Sequence, residues 1–278
     1  MAKTEDAFSP INSLPPDCIS HIILLASPRD ACMFSLTSTA FRSVIDTDDT
    51  WQRFLPLDYA SILSRAVNPV EFSSKKDLLV KLCKHPVLID GGKMSFGLDR
   101  FTGKKCYMIS ARALDIDSAN EAPDHWRWIS SPDSRFDDVA KKVSRCHTNI
   151  YDKIESNVLC RKTRYSAYLI YKVETLTFGR PIRDQIMLRT FVNIGGHVST
   201  GCVCLKNLQK YINKMFDRFR DRYHCTTPKE RGDGWMEVEI GEFYNENGEE
   251  GEIRMGLEET GGRTWGLIVQ GIEIRPKH

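Results

Sequence analysis

No stretch of the sequence holds about 18 consecutive apolar residues, so a membrane-spanning helix is excluded. The opening residues Met1-Ala2-Lys3-Thr4-Glu5-Asp6 contain no apolar core of the kind a secretory leader needs. Neither charge sign dominates: 39 Lys and Arg stand against 37 Asp and Glu, too even a balance to predict a nucleic-acid-binding surface. The nine cysteines are an odd number without framework spacing, which predicts reduced thiols and a cytoplasmic or nuclear protein rather than a disulfide scaffold. Internal repeats and low-complexity tracts are missing too.

What is present is an ordinary globular composition, 41% hydrophobic and 27% charged over 278 residues, enough for one small and one medium domain with self-sufficient cores. The charge is unevenly spread. Residues 1–60 carry four basic against eight acidic side chains, and the remainder 35 against 29. Both balances fit a mixed solvated surface.

The first 85 residues read as short helices separated by sharp breaks. After Pro15-Pro16, Cys18, Ile19, Ile22, Ile23 and Ala26 recur at helical spacing. Ser27 suits an N-cap and Pro28 the first helical position, where no amide donor is needed. Ser38 opens a further helix with Phe41, Val44 and Ile45 on one stripe, and Thr47 or Asp48 caps a last one carrying Trp51 and Phe54 before Pro56. Such short helices do not persist alone. Their large apolar side chains exceed what so small a bundle buries, which predicts an interface.

The run Asn12-Ser13-Leu14-Pro15-Pro16-Asp17-Cys18-Ile19, with Ser27-Pro28-Arg29-Asp30-Ala31-Cys32 and Trp51-Gln52-Arg53-Phe54-Leu55-Pro56, resembles an F-box, specifically that of plant F-box proteins fused to a phloem protein 2 domain. The resemblance implies a tail over 1–9, an F-box over 10–56, and binding of a Skp-family adaptor within a cullin ubiquitin ligase. Leu14, Pro15, Ile19, Ile22, Ile23, Leu36 and Trp51 are the residues expected to contact the adaptor. Residues 57–85 lack linker composition and read as two packed helices, around Tyr59, Ile62 and Leu63 and then, capped by Ser74, around Leu78, Leu79 and Leu82.

After Pro86 the texture becomes β. Runs such as Lys105 to Ser110, Trp126 to Ser130, Tyr165 to Val173, Gln185 to Val192, Trp235 to Tyr244, Glu252 to Glu258 and Gly266 to Arg275 predict an antiparallel sandwich or jelly roll over 86–278. Only Arg135 to Arg145 and the basic, amphipathic Asn207 to Tyr223 read as helices. The fold class is therefore α+β, a small all-α module followed by an all-β domain with one or two short helices. Four blocks carry a resemblance to the phloem protein 2 family, which includes Nictaba-type lectins: Lys105 to Arg112, His125 to Ile129, Asp233 to Phe243 and Gly266 to Pro276.

Alternation over Trp235 to Ile240 places Trp235, Glu237 and Glu239 on one face and Met236, Val238 and Ile240 on the core face. Gly241 marks a bulge that re-aims Glu242. An indole beside carboxylate acceptors is the chemistry of sugar reading. The family's lectins use two tryptophans and C-terminal glutamates; the resemblance assigns Trp126, Glu237, Glu239 and Glu242 to N-acetylglucosamine-type glycans. The companion tryptophan has no counterpart, its segment reading Asp117-Ser118-Ala119-Asn120, which predicts faint sugar binding and favours a protein target. Glu237 and Glu239, about 6.5–7 Å apart on one strand face, do not flank a bond as a glycosidase pair must. Cys202, Cys204, His224 and Cys225 lack zinc spacing, so neither catalysis, metal nor cofactor is expected, and no membrane or nucleic acid. The reading is a substrate-recognition subunit of a Skp–cullin–F-box ligase, with a nucleocytoplasmic lectin bearing a vestigial F-box as the alternative.

Overall fold

The computed structural model describes residues 14–116, 124–144, 147–174, 187–205, 225–259 and 266–278. The chain divides into two compact units, residues 1–87 with 96–105, and residues 88–95 with 106–278.

The first unit contains α1 (Pro16–Leu25), α2 (Pro28–Thr37), α3 (Thr39–Ile45), α4 (Asp48–Phe54), α5 (Tyr59–Leu63) and α6 (Lys75–Lys84). Local chemistry sets the breaks. Ser27 Oγ accepts from the Asp30 N–H at 3.1 Å while the Asp30 carboxylate accepts from the Ser27 hydroxyl at 2.7 Å, a reciprocal cap ahead of Pro28. Ser38 caps α3 and Ser74 caps α6 in one direction only, each hydroxyl accepting from one backbone N–H, of Ala40 and of Asp77. Ile19, Ile23, Phe41, Ile45, Trp51 and Leu78 form the buried interior, and the Trp51 indole N–H donates to the Ile45 carbonyl. Within the same unit, Lys105 Nζ meets Asp58 Oδ2 at 2.7 Å.

The strands are β1 (Val87–Ile89), β2 (Met94–Leu98), β3 (Lys105–Ser110), β4 (Asp115–Ile116), β5 (Trp126–Ile129), β6 (Val139–Lys142), β7 (Asn149–Glu155), β8 (Thr163–Val173), β9 (Met187–Ile194), β10 (His197–Cys204), β11 (Cys225–Thr226), β12 (Lys229–Glu230), β13 (Met236–Asn245), β14 (Glu252–Glu259) and β15 (Leu267–Pro276). One sheet runs β1-β2-β3-β15-β8-β13-β12, with β6 also on β15 and β5 on β6; the other runs β11-β10-β9-β14-β7-β4. Alternation decides which residues meet between the sheets. Leu169, Val238, Ile272 and Ile274 are buried on the first, and Ile150, Val192, Ile253, Met255 and Leu257 on the second.

Two expectations are corrected. Val139–Lys142, read as helical, is a strand pairing with both β5 and β15. The cysteines are not uniformly reduced: Cys202, on β10, is disulfide-bonded. Cys204 is free and buried. The helix expected over Asn207 to Tyr223, and the segment Asp117 to Asn120, lie outside the described residues. No helix among the described residues is long and apolar enough to cross a membrane.

Candidate functional site

In the helical unit the expected contact residues separate into two sets. Ile19 and Trp51 are 1% exposed and Ile23 0%; these side chains are interior, which corrects their assignment as contacts. Leu14 is half-buried and Pro15 exposed, while Ile22 is 40% and Leu36 80% exposed. Leu25 and Met33, which are not among the expected contacts, are exposed as well.

In the sandwich, β13 carries Glu237, Glu239 and Glu242 outward because of one irregularity. The register against β8 shifts between Glu239 and Gly241. Before the shift Val238 and Ile240 face the core; after it Phe243 and Asn245 do, so the bulge restores Glu242 to the face of the other two glutamates.

These carboxylates are ion-paired. Glu237 is bound by Arg275 at 2.6 Å and by Arg231 at 3.1 Å. Glu239 takes Lys277 at 2.8 Å, and Glu242 takes Lys277 at 2.7 Å and Arg164 at 3.3 Å. Buried beside them, Glu273 accepts from Arg231 at 2.7 Å and from Arg135 at 3.3 Å. Burial raises the pKa of Glu273, but the guanidinium groups outweigh it and hold the carboxyl below its ordinary range. The hydrogen bond from Lys277 likewise lowers Glu242. Glu273, Arg231, Arg275 and Lys277 were not identified from the sequence, although the alternation Ile272-Glu273-Ile274-Arg275 placed two of them on one face.

Trp126 stands apart from this cluster. Its ring is 1% exposed, and its indole N–H has no partner among the described residues. The path β5-β6-β15-β8-β13 separates it from the glutamates, about 19 Å at about 4.8 Å per strand. The residues Trp126, Glu237, Glu239 and Glu242 are therefore not gathered into one open site. Trp235 is a core residue with Met108, Phe136, Val139 and Ile170, its indole N–H donating to the Asp133 carbonyl at 2.9 Å. Trp128 is half-buried under the Arg112 guanidinium, 3.9 Å from its ring.

A recess lies elsewhere in the sandwich. A cleft of ≈ 520 Å³ has Val192, Ile194 and Phe243 as its floor and Tyr244, Glu246 and Glu250 among its walls, a volume in the range of ligand pockets. Glu242 also borders it. Among the described residues no three His, Cys, Asp or Glu side chains are grouped to hold a metal ion.

A helical module with exposed apolar side chains, followed by a largely antiparallel sandwich, makes this a two-module protein. The family model of phloem protein 2 matches residues 104–276 and that of the F-box domain residues 11–53. The chain belongs to the phloem protein 2 family and carries an F-box domain. It is similar to F-box protein PP2-B10 of Arabidopsis thaliana, 40% identical over 280 residues that cover 99% of this chain and 97% of that protein. F-box protein SKIP3 of Arabidopsis thaliana is 36% identical over 277 residues, covering 96% and 89%. Among solved structures, a family 35 carbohydrate binding module from Clostridium thermocellum matches at a TM-score of 0.36 and 9% identity, over 61% of this chain and 96% of that one.

Proposed function

We propose that the chain is the substrate-recognition subunit of a Skp–cullin–F-box ubiquitin ligase. Its F-box docks a Skp-family adaptor, and its sandwich holds the protein to be modified. The receptor supplies proximity alone, and ubiquitin transfer belongs to the other subunits.

The observation that carries this reading is the exposed apolar surface of the helical unit. Leu25 and Leu36 are 83% and 80% exposed, and Ile22 and Met33 40% and 57%. Such a concentration on a small helical module marks an interface. The reading is favoured over a free lectin because Trp126 is buried and the glutamates are engaged by arginines and lysine.

Co-expression with a Skp-family adaptor tests it. Ile22 and Leu36 contribute little to the interior, so Ile22→Ala with Leu36→Ala leaves the fold intact. The double variant is expected to weaken capture about a hundredfold, since each buried apolar side chain is worth about 1.5–3 kcal/mol when completely covered. A folded double variant that co-purifies as efficiently as wild type would reject the proposal.

A further inference from the structure

Both sheets end on the flank that holds the cleft, and both ends are only partly paired. β11 meets β10 at Cys202 and Val203, and β12 meets β13 at Met236 and Glu237. Residues 197–201 of β10 therefore have β9 on one side and no strand on the other among the described residues.

The hairpin between β9 and β10 dictates which backbone groups are left over. Gly195 and Gly196 have φ of 54° and 83°, the two positive values that a two-residue hairpin turn with right-handed twist demands. The turn closes on the pair Ile194–His197. In such a hairpin the closing pair is hydrogen-bonded, so Ser199 and Gly201 also point their backbone groups at β9 while Val198 and Thr200 point theirs away. His197, Val198, Ser199 and Thr200 are all exposed. Protein edges are ordinarily blunted by Lys, Pro or a bulge. His197-Val198-Ser199-Thr200-Gly201 has neither residue, and its register against β9 is unbroken.

The cleft beside this edge has an apolar floor and an acidic rim. Val192, Ile194 and Phe243 are buried at its floor, and Val198, 58% exposed, and Tyr244, 45% exposed, border it. Glu242 is neutralised by Lys277 and Arg164, but Glu246 and Glu250 enter no ion pair among the described residues. Glu250 accepts from the backbone N–H of Glu246, Asn247 and Glu249 at 3.1, 3.0 and 3.0 Å. Those bonds, led by that from Asn247, keep its carboxyl ionised below the ordinary range. They also occupy the oxygens, so Glu250 presents negative field more than free acceptor positions. A cation suits that rim better than a sugar hydroxyl does.

We propose that this flank docks an extended, basic segment of the target protein, added as a strand to the open edge of β10. Its inward side chains rest on Ile194 and Phe243, its outward ones lie beside Val198 on the other face of the sheet, and a Lys or Arg at its end reaches Glu246 and Glu250. The proposal rests on the receptor reading of the sandwich and names the chemistry of what it receives. Backbone bonds supply affinity, while alternate side chains and charge supply selection.

The test uses the full chain, alone and co-expressed with a Skp-family adaptor, and three probes followed by fluorescence anisotropy: an eight-residue peptide alternating valine with serine and ending in two lysines, its counterpart ending in two glutamates, and triacetylchitotriose. The lysine peptide is expected to bind and the glutamate peptide not. Thr200→Pro removes an outward N–H without touching the β9 side, and Glu246→Lys reverses an exposed charge. Each is expected to weaken the lysine peptide about tenfold, with melting temperature and adaptor capture unchanged. Adaptor capture without lysine-peptide binding, or binding that neither variant weakens, overturns the proposal and leaves the F-box reading standing. Saccharide binding lost in Tyr244→Ala, with no peptide binding, overturns it in favour of a glycan site. Peptide binding weakened by both variants, without adaptor capture, overturns the ligase reading and keeps the docking site.

Discussion

Arg275 grips Glu237 through both terminal nitrogens, Nη2 donating to Oε1 at 2.6 Å and Nη1 to Oε2 at 2.8 Å. The fork geometry matches a carboxylate on two bonds at once. Glu273 bridges the same arginine to Arg231, accepting from each at 3.1 and 2.7 Å. The outward glutamates of β13 thus serve the sheet by tying β13 to β15 across the intervening β8.

The pair predicts an asymmetric response to mutation. Arg275→Met leaves Glu237 and Glu273 short of countercharge at side-chain exposures of 13% and 10%. The expected loss is about 1–3 kcal/mol, below the cost of breaking a completely buried pair because Arg275 is itself partly solvated. Replacing both members, Arg275→Met with Glu237→Gln, should lose less than the two single losses added together. Urea unfolding of the four proteins of the cycle measures the difference.

The helical breaks were legible because they are local: Ser27, Ser38 and Ser74 each cap within three residues of themselves. Strands with one buried face, such as Ile253, Met255 and Leu257 on β14, were legible from alternation. Val139–Lys142 was misread because Phe136, Val139, Ala140 and Val143 mimic a helical stripe; pairing with Ile268 and Val269, far along the chain, overrides it. The ion pairs of Glu237 and the burial of Trp126 depend on strands distant in sequence, and no local pattern announces either.

Trp126 yields a second prediction. Its indole is buried and its N–H has no partner among the described residues, so the residue contributes volume to the domain. Trp126→Ala should cost about 3–5 kcal/mol, through lost burial and the cavity left behind. Trp126→Phe, which keeps an aromatic ring and removes the unpaired donor, should stay within about 1.5 kcal/mol of wild type. Thermal melts of the two variants decide it; equal, small losses would mean that the ring leaves the interior readily.

Gly271 sits where β15 changes register against β8, and it faces Ser110 on β3. A Cβ added there would lie 2.0 Å from the Ile109 carbonyl oxygen. That atom belongs to the backbone of a central strand and cannot swing aside as a side chain would. Gly271→Ala is expected to separate β3 from β15 and to leave the protein largely insoluble or poorly folded. Soluble expression and circular dichroism test this, and a cooperative melt within a few degrees of wild type would contradict it.

Asp152 and Glu273 make stability depend on pH with opposite signs. Glu273 is held below its ordinary 4.5 in the folded protein, so its contribution is present above that value and is lost as pH falls through the lowered folded pKa. Asp152 is raised from 3.8 to about 6, chiefly by burial and further by Asp115, against a hydrogen bond from the Lys153 N–H. Its Oδ2 is buried without a partner among the described residues. A raised carboxyl stabilises the fold while protonated and ceases to as pH climbs through the folded value. Between pH 3.8 and about 6 the unfolded state releases the proton more readily, so Asp152 erodes stability there. Asp152→Asn, neutral throughout, should match wild type near the lower end of that window and exceed it increasingly toward the upper end. Above about pH 6 the advantage should level off. Melting temperatures of both proteins across this range measure it, and a difference independent of pH would show that Asp152 titrates alike in the folded and unfolded states.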